Sequence, residues 1–579
     1  MAQRTPIPDS RGQNAFRSDP AFAALMRVYA PDDGVALLTP ALDRMGMLVG
    51  DRLERLALTA DHNPPVLHRR DRTGAPDERV EKHPAFEALE RVAFGEFGLA
   101  AMSHRGGVLG AAAPLPPIAK YALVYLFVQA EFGLCCPLSM TDALTRTLRR
   151  FADPALVARY IDRLTSQDME TLAQGAMFMT EQAAGSDVGA IETVARREAA
   201  AWRLYGDKWF CSNPDADLAM VLARTEDGAD GTAGLSLFLL PRHLPDGTRN
   251  AYDIVRLKEK LGSRSMASGE ITLRGAEAHL VGGEGQGFKQ MTDMINMSRL
   301  ANGVRSAGLM RRCVSESLYI ARHRAAFGGS LIDKPLMRRQ LIKMLVTAEQ
   351  GRSMAFHAAW VLARADAGDA DRALVLRSLT PLIKFRTCRD ARKVAGDAME
   401  VRGGCGYIEE FSDARVLRDA HLGSIWEGTG NIVALDVARV ARKAGLGTLT
   451  DHLHELLLEV PADRAAELRG VVDRAAGLMA RVADGAEHEA RRGATALYNA
   501  ASAAIMGWEA ARLSRIAPDV AADRATLALL VVAHRLRPAD PLAPPKDAGE
   551  DAALAGLLAR AGVDTADPDG ASGHGMAAQ

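Results

Sequence analysis

Cysteine is scarce and scattered: six in 579 residues (Cys135, Cys136, Cys211, Cys313, Cys388, Cys405), with no Cys-x-x-Cys pair and no His/Cys cluster at ligand spacing. A disulfide framework and a zinc knuckle are thereby excluded, and the expectation is a reducing compartment and no metal. Net charge is nearly absent too. With 71 Lys and Arg against 72 Asp and Glu, nothing draws the whole chain to nucleic acid or to a membrane surface. No run of eighteen apolar residues occurs, and the polar N-terminus Met-Ala-Gln-Arg-Thr-Pro-Ile-Pro-Asp-Ser lacks the apolar core of a signal peptide. A cytoplasmic protein with no membrane partner is expected. Also missing are an internal repeat and a Gly-x-Gly-x-x-Gly after a strand. Gly403, Gly404 and Gly406 follow a helical pattern at a different spacing, which excludes a Rossmann cofactor site.

What is present is enough apolar residue, 48%, to build two to four packed domains. Residues 1–45, rich in Pro, Asp and Arg, read as an extended arm. Residues 46–175 read as a helical domain, with Ala85, Leu89, Val92 and Ala93 at three- and four-residue spacing and a polar surface loop at 69–78. Across 176–287 the texture turns to short strand-like runs at 208–211, 218–223 and 235–240, with Trp202/Leu204 and Ile271/Leu273 alternating. That predicts a small β-barrel without βαβ crossovers. Helical periodicity over 288–445 predicts a four-helix bundle. An additional helical domain follows over 446–537, with Leu497, Ala501, Ile505, Trp508 and Ala511 on one face, and 538–579 reads as a disordered tail. The class is α+β, mostly α.

One segment stands out chemically. Residues 425–431 read Ile-Trp-Glu-Gly-Thr-Gly-Asn, a single carboxylate between an aromatic ring and two glycines. Gly428 and Gly430 permit positive φ and a tight fold around a flat ligand, with Glu427 aimed into an apolar slot as a poised base. Three further constellations accompany it. Residues 178–188, from Phe178 through Gly185, Ser186 and Asp187, expose amides and hydroxyls that can cradle a ring edge. Residues 208–213 are an aromatic strand, and Arg322 to Gly328 place a cation and an aromatic one turn apart at a helix end. Residues 400–407 combine Glu400 with Gly403, Gly404 and Gly406, ahead of Glu410, Arg415 and Asp419.

In this order and at these separations the motifs resemble the acyl-CoA dehydrogenase family, which joins a helical domain, a β-barrel and a four-helix bundle around FAD. Met179-Thr180-Glu181 with Gly185-Ser186-Asp187 is similar to its first signature, and Gly403-Gly404-x-Gly406-Tyr407 to its second. Residues 241–247, 260–265, 335–338 and 424–428 resemble the AidB-like branch, linked to adaptive response to alkylation. The resemblance implies α,β-dehydrogenation of an acyl-CoA, with Glu427 taking the α-proton and FAD the β-hydride. It assigns Met177, Phe178, Met179, Thr180, Phe210, Cys211 and Ser212 to the flavin and Ser186 to cofactor and thioester tail. Gly403, Gly404, Ile425, Trp426, Gly428, Thr429 and Asn431 would line the rest of the FAD, while Thr180, Ser186, Trp426 and Glu427 would face substrate. Arg324 and Phe327 would reach the FAD of a neighbouring subunit in a homodimer or homotetramer, and electron-transfer flavoprotein would be an acceptor.

The same branch implies an alternative, a flavoprotein that binds duplex DNA through Arg439, Arg442 and Lys443 and protects it. Residues 444–579 hold 13 Lys and Arg against 19 Asp and Glu, six net negative charges, which leans against phosphate binding. Local convergence of Arg491, Arg492, Arg512, Arg515, Arg535 and Arg537 would be needed. An oxidase passing electrons to oxygen is a third reading. Trp426, Met140 and Met179 suit short branched or bulky acyl chains.

Overall fold

The computed structural model describes residues 7–565 apart from 200, 539, 541 and 543–549. It opens with helices where an arm was expected, α1 (Pro20–Tyr29) and most of α2 (Asp32–Gly50), followed by α3 (Arg52–His62) inside the expected helical domain. The Pro and Asp that suggested a linker are start signals instead. Asp19 caps α1 by accepting from the Phe22 amide, Pro20 occupies the first turn, and Phe22, Leu25, Met26 and Tyr29 are buried. The loop expected at 69–78 is a hairpin, β1 (Val66–Arg70) paired antiparallel with β2 (Pro76–Glu81), whose turn is held by the Asp71 carboxylate accepting from the amides of Thr73 and Ala75. Helices α4 (Pro84–Glu90), α5 (Pro117–Phe127), α6 (Cys135–Phe151) and α7 (Pro154–Leu164) complete the first helical layer.

Seven strands follow: β3 (Gly175–Phe178), β4 (Val194–Glu198), β5 (Ala201–Ser212), β6 (Leu218–Thr225), β7 (Leu235–Pro241), β8 (Tyr252–Leu257) and β9 (Ser268–Leu280). The pairings β6–β4, β4–β5, β5–β9, β9–β7 and β7–β6 return to their start, so the sheet closes as a barrel. Two of its pairings, β3–β6 and β4–β6, are parallel and made without crossover helices. Alternation puts Phe178, Leu204, Cys211, Val221, Phe238 and Ile271 inside.

The bundle is built from α8 (Gly287–His323), α9 (Pro335–Asp366), α10 (Ala370–Arg402), α11 (Asp413–Gly423) and α12 (Gly430–Val440), with a small hairpin of β10 (Ala325–Ala326) and β11 (Gly329–Ser330) between α8 and α9. Then come α13 (Leu446–Leu456), α14 (Ala462–Ala483), α15 (Ala490–Leu513) and α16 (Pro518–Val531). Leu497, Ala501, Ile505 and Trp508 of α15 are buried as their spacing predicts. One continuous apolar cluster runs through the N-terminal helices, the bundle and α13–α16, so packing does not break at residue 446. The tail departs from expectation as well. Within it α17 (Glu550–Arg560) buries Leu554, Leu557 and Leu558, Arg560 pairs with Asp523 at 2.6 Å, and the Val563 amide donates to the Ser18 carbonyl. Residues 539, 541, 543–549 and 566–579 of it lie outside those described. No described helix is long and apolar enough to cross a membrane.

Candidate functional site

After α11 ends at Gly423 the chain turns sharply. The expected positive φ falls on Gly428 (108°), but its companion is Glu427 itself (57°) and not Gly430. A side chain held in the left-handed region costs about 1–3 kcal/mol and persists only when its surroundings dictate it. Here they do. On α8, Ser298 Oγ donates to one Glu427 carboxylate oxygen and Asn302 Nδ2 lies 3.4 Å from the other, while Arg299 Nε donates to the Glu427 carbonyl at 3.2 Å. From α10, Lys384 Nζ donates to the carbonyls of Gly423 (2.6 Å) and Gly428 (3.3 Å), and burial pushes that ammonium below the ordinary lysine range. Glu427 is half buried. The slot is therefore not purely apolar: its carboxylate end is polar, and its wall is Trp426 stacked on Phe132 at 5.7 Å. Ile425 is exposed.

The barrel presents β3 and the end of β5 toward this region. The side chains of Phe178 and Cys211 point into the barrel core, which leaves their main chains to face a cofactor. Met177 and Met179 pack partly buried against the helical core, and the Thr180 carbonyl accepts from the Trp209 amide at 2.8 Å. Phe210 is 57% exposed beside Trp209, with the Lys258 ammonium 3.4 Å from the Trp209 ring centre and 4.9 Å from that of Phe210. The Ser212 hydroxyl lies 3.5 Å from that of Ser268, and burial raises the pKa of the Cys136 thiol of α6 although the Arg305 cation opposes it. Ser186 sits exposed on a loop framed by buried Glu181, which accepts from Lys208 (2.6 Å), the Thr193 hydroxyl (2.5 Å) and the Glu192 amide (2.6 Å). Glu181 is thus a structural member of its motif. Burial works to raise its pKa, and Lys208 holds it below the ordinary range.

The residues assigned to the far half of the cofactor divide into two sets. Arg324 donates to the Arg402 carbonyl at 2.9 Å, beside Gly403, whose φ is 75° and where a Cβ would stand 3.4 Å from the guanidinium; Gly404 adjoins. Phe327, 94% exposed, and Gly328 form the two-residue tip of the β10–β11 hairpin, both with positive φ. That is a type I′ turn, which displays a ring at a position Gly or Asn normally fills. Thr429 and Asn431 belong elsewhere, at the start of α12. Thr429 is exposed and makes no side-chain cap, and Arg491 of α15 donates to Asn431 at 2.8 Å.

One residue of the slot escaped the sequence reading. Arg305 of α8 is fully buried, its Nε donates to the Ala301 carbonyl, and neither terminal nitrogen has a hydrogen-bond partner among the described residues. Its guanidinium lies 4.8 Å from the Trp426 ring centre and 5.7 Å from that of Phe132. Cation–π contacts return about 0.5–2 kcal/mol, less than the several kcal/mol that desolvating an ion costs. The signal was in the sequence: Ser298, Asn302 and Arg305 recur at four and three residues, one helical face.

A cavity of about 630 Å³ lies apart from Glu427 between α5, α6 and the α8–α10 helices, lined by residues including Lys120, Asp142, Arg146, Asn296, Arg377 and Thr380. Lys120 and His104 hold Asp142 below the carboxylate range against the effect of burial. The candidate DNA residues are largely engaged. Arg439 is 3.6 Å from Asp436, Arg442 donates to the Ala483 carbonyl, Arg492 pairs with Glu489, Arg512 with Glu459 and Arg537 with Glu467, and Arg535 donates to Thr347. Lys443 and Arg515 are exposed.

Three family descriptions match the chain: the adaptive response protein AidB N-terminal domain over residues 6–171, the acyl-CoA dehydrogenase middle domain over 176–276 and the acyl-CoA dehydrogenase C-terminal domain over 285–441. Escherichia coli AidB is 37% identical over 477 residues, 79% of this chain and 82% of that protein. Acyl-CoA dehydrogenase family member 11 of Caenorhabditis elegans is 32% identical, covering 74% and 70%. The crystal structure of Caenorhabditis elegans ACDH-11 in complex with C11-CoA superposes with a TM-score of 0.83 at 28% identity, over 92% of this chain and 93% of that one.

Proposed function

This chain belongs to the acyl-CoA dehydrogenase family, and on that premise we propose that it is an FAD-dependent oxidoreductase that desaturates an acyl-CoA thioester between its α and β carbons, with Glu427 as the base. The observation that carries this reading is the Glu427 turn, a carboxylate forced into left-handed backbone and strapped to two helices at once. A thioester α-carbon is a very weak acid, so its base must be held within reach and water kept away. Ser298 and Asn302 fix the carboxylate oxygens, and Lys384 fixes the carbonyls on either side of the turn. Trp426 on Phe132 closes the wall.

The residues fit FAD. Strand β3 is paired by β6 along one edge only, which leaves main-chain groups from Met177 to Thr180, apart from the Thr180 carbonyl, for a ring edge, next to the exposed face of Phe210 and the Ser212 hydroxyl. The uncapped start of α12, with Gly428, Thr429 and Asn431, offers amide donors to phosphate, and Gly403 leaves room beside Arg324. Bound FAD supplies the acceptor for the β-hydrogen as hydride. Ser186, on its exposed loop, takes the thioester tail, and electron-transfer flavoprotein takes up the electrons. The displayed Phe327 and its neighbour Arg324 serve a second copy of the chain. Replacing Phe327→Asp is expected to convert the assembly to monomer in sedimentation and to lower flavin content; an unchanged assembly and flavin content refutes that role.

The decisive measurement is anaerobic bleaching of the bound flavin by a panel of acyl-CoAs. Glu427→Gln is expected to slow it by about 10²–10⁴-fold, the usual worth of a positioned base, with flavin content unchanged. Reduction of that variant at the wild-type rate removes Glu427 from the chemistry. The DNA-guarding reading draws little from this surface, since most of the arginines it needs already have partners.

A further inference from the structure

Arg305 lies on the α8 face that holds the base. It follows Asn302 by three residues, about 4.5 Å along the axis at 1.5 Å per residue, and its guanidinium lies beside Trp426, the residue preceding Glu427. Trp426 ties the two together further: its ring lies against both the guanidinium and Phe132, and the next residue in the chain is the base. Base and buried cation therefore meet one face of α8 through consecutive residues of one turn, Glu427 at Ser298 and Asn302 and Trp426 at Arg305.

No described residue pairs with that cation. Glu427 is held by Ser298 and Asn302, and the other acid close by, Glu131, is committed to the amides of Gly133 and Leu134 and the Ser265 hydroxyl. Phe132 and Trp426 flank the guanidinium, and its two terminal nitrogens are left with donors to spend. A planar fork of unpaired N–H groups in a desolvated pocket is built for a carboxylate.

We infer that the acyl chain this protein prefers is short and ends in a carboxylate, which Arg305 receives while Glu427 acts at the α-carbon. This rests on the dehydrogenase reading above. The α-proton goes to Glu427, the β-hydrogen with its electron pair goes to the bound flavin, the α–β single bond becomes double, and the terminal carboxylate is retained unchanged. Arg305 sets specificity and takes no part in the bond changes.

The test compares glutaryl-CoA with pentanoyl-CoA, equal in chain length and different in terminal charge, on the holoprotein. Under anaerobic conditions glutaryl-CoA is expected to reduce the flavin with a kcat/KM at least about tenfold higher. Arg305→Leu is expected to lose about 10²-fold toward glutaryl-CoA, the scale on which truncating one side of a buried charge pair acts, while pentanoyl-CoA reacts as fast or faster. Calorimetric binding in a Glu427→Gln background, which holds the thioester without turnover, should give the same reversal, and Arg305→Lys should fall between. A wild-type preference for pentanoyl-CoA, or a glutaryl-to-pentanoyl ratio that Arg305→Leu leaves unchanged, overturns the inference alone. If neither thioester reduces a flavin that dithionite does reduce, the dehydrogenase reading falls and the inference with it.

Discussion

Arg305 and Arg311 lie six residues apart on α8, both buried, in surroundings that differ in kind. Arg311 belongs to a closed set. Its Nε is 3.0 Å from Asp19, and with Arg352 and Arg524 it faces Asp19, Glu349 and Glu509, three cations against three carboxylates. Tyr29 and Ser353 add hydroxyl donors to Glu509 at 2.6 and 2.8 Å. Burial would raise the Asp19 pKa, yet Arg311 and Arg352 hold it below the ordinary range, so Asp19 stays ionised. It ties α1, α8, α9, α15 and α16 together. Arg305 has aromatic rings where Arg311 has carboxylates. Buried charges that answer one another within the chain serve the fold, and one that is left open marks a place for something from outside.

The largest expected effect comes from opening the closed set. Glu349→Gln leaves three buried arginines against two carboxylates and is expected to destabilise the protein by about 3–5 kcal/mol, read from denaturant midpoints. Arg305→Leu, just as deeply buried, is expected to be neutral or to stabilise the ligand-free protein by about 1–2 kcal/mol, because it removes a desolvated charge with no partner to strand. Equal losses in the two variants would erase the distinction. A smaller effect sharpens it through pH. Burial is the main reason Asp419 has its pKa raised to about 7, with Arg415 only partly offsetting it. Its folded pKa thus exceeds the unfolded carboxylate value near 4, so the fold holds a proton that the unfolded chain releases between those values. Stability should fall as pH rises from about 4 to 7 on this account. Asp419→Asn should flatten that slope in thermal melts across the window, and an unaltered slope would mean another group is responsible.

The broad order of the molecule was legible because periodicity is a local property. Three- and four-residue recurrence marked the helical ends, and alternation at Trp202/Leu204 and Ile271/Leu273 marked the barrel. Punctuation was harder. Asp19-Pro20 reads equally as linker and as cap until Phe22, Leu25, Met26 and Tyr29 are seen to share a face, and residues 69–78 needed their partner across the turn to become a hairpin. Glu427 stood out by its glycines, but the left-handed turn falls on Glu427 itself, because Ser298, Arg299, Asn302 and Lys384 reach it from more than forty residues away in sequence. Phe178 and Cys211 have their side chains turned into the barrel, a matter of one-residue register. Arg305 went unread since a lone arginine in a helix looks solvated until its neighbours are known.

Helix α8 spans 37 residues, about 55 Å of unbroken rod at 1.5 Å per residue. Ser298, Asn302 and Arg305 lie just short of and at its midpoint, the Arg311 anchor sits beyond the middle, and its far end delivers the chain to Phe327. Such a beam is clamped past its middle, with a working stretch on either side. Evolutionary drift in the clamp would misalign chemistry and assembly together, whereas drift in either stretch can proceed without disturbing the other.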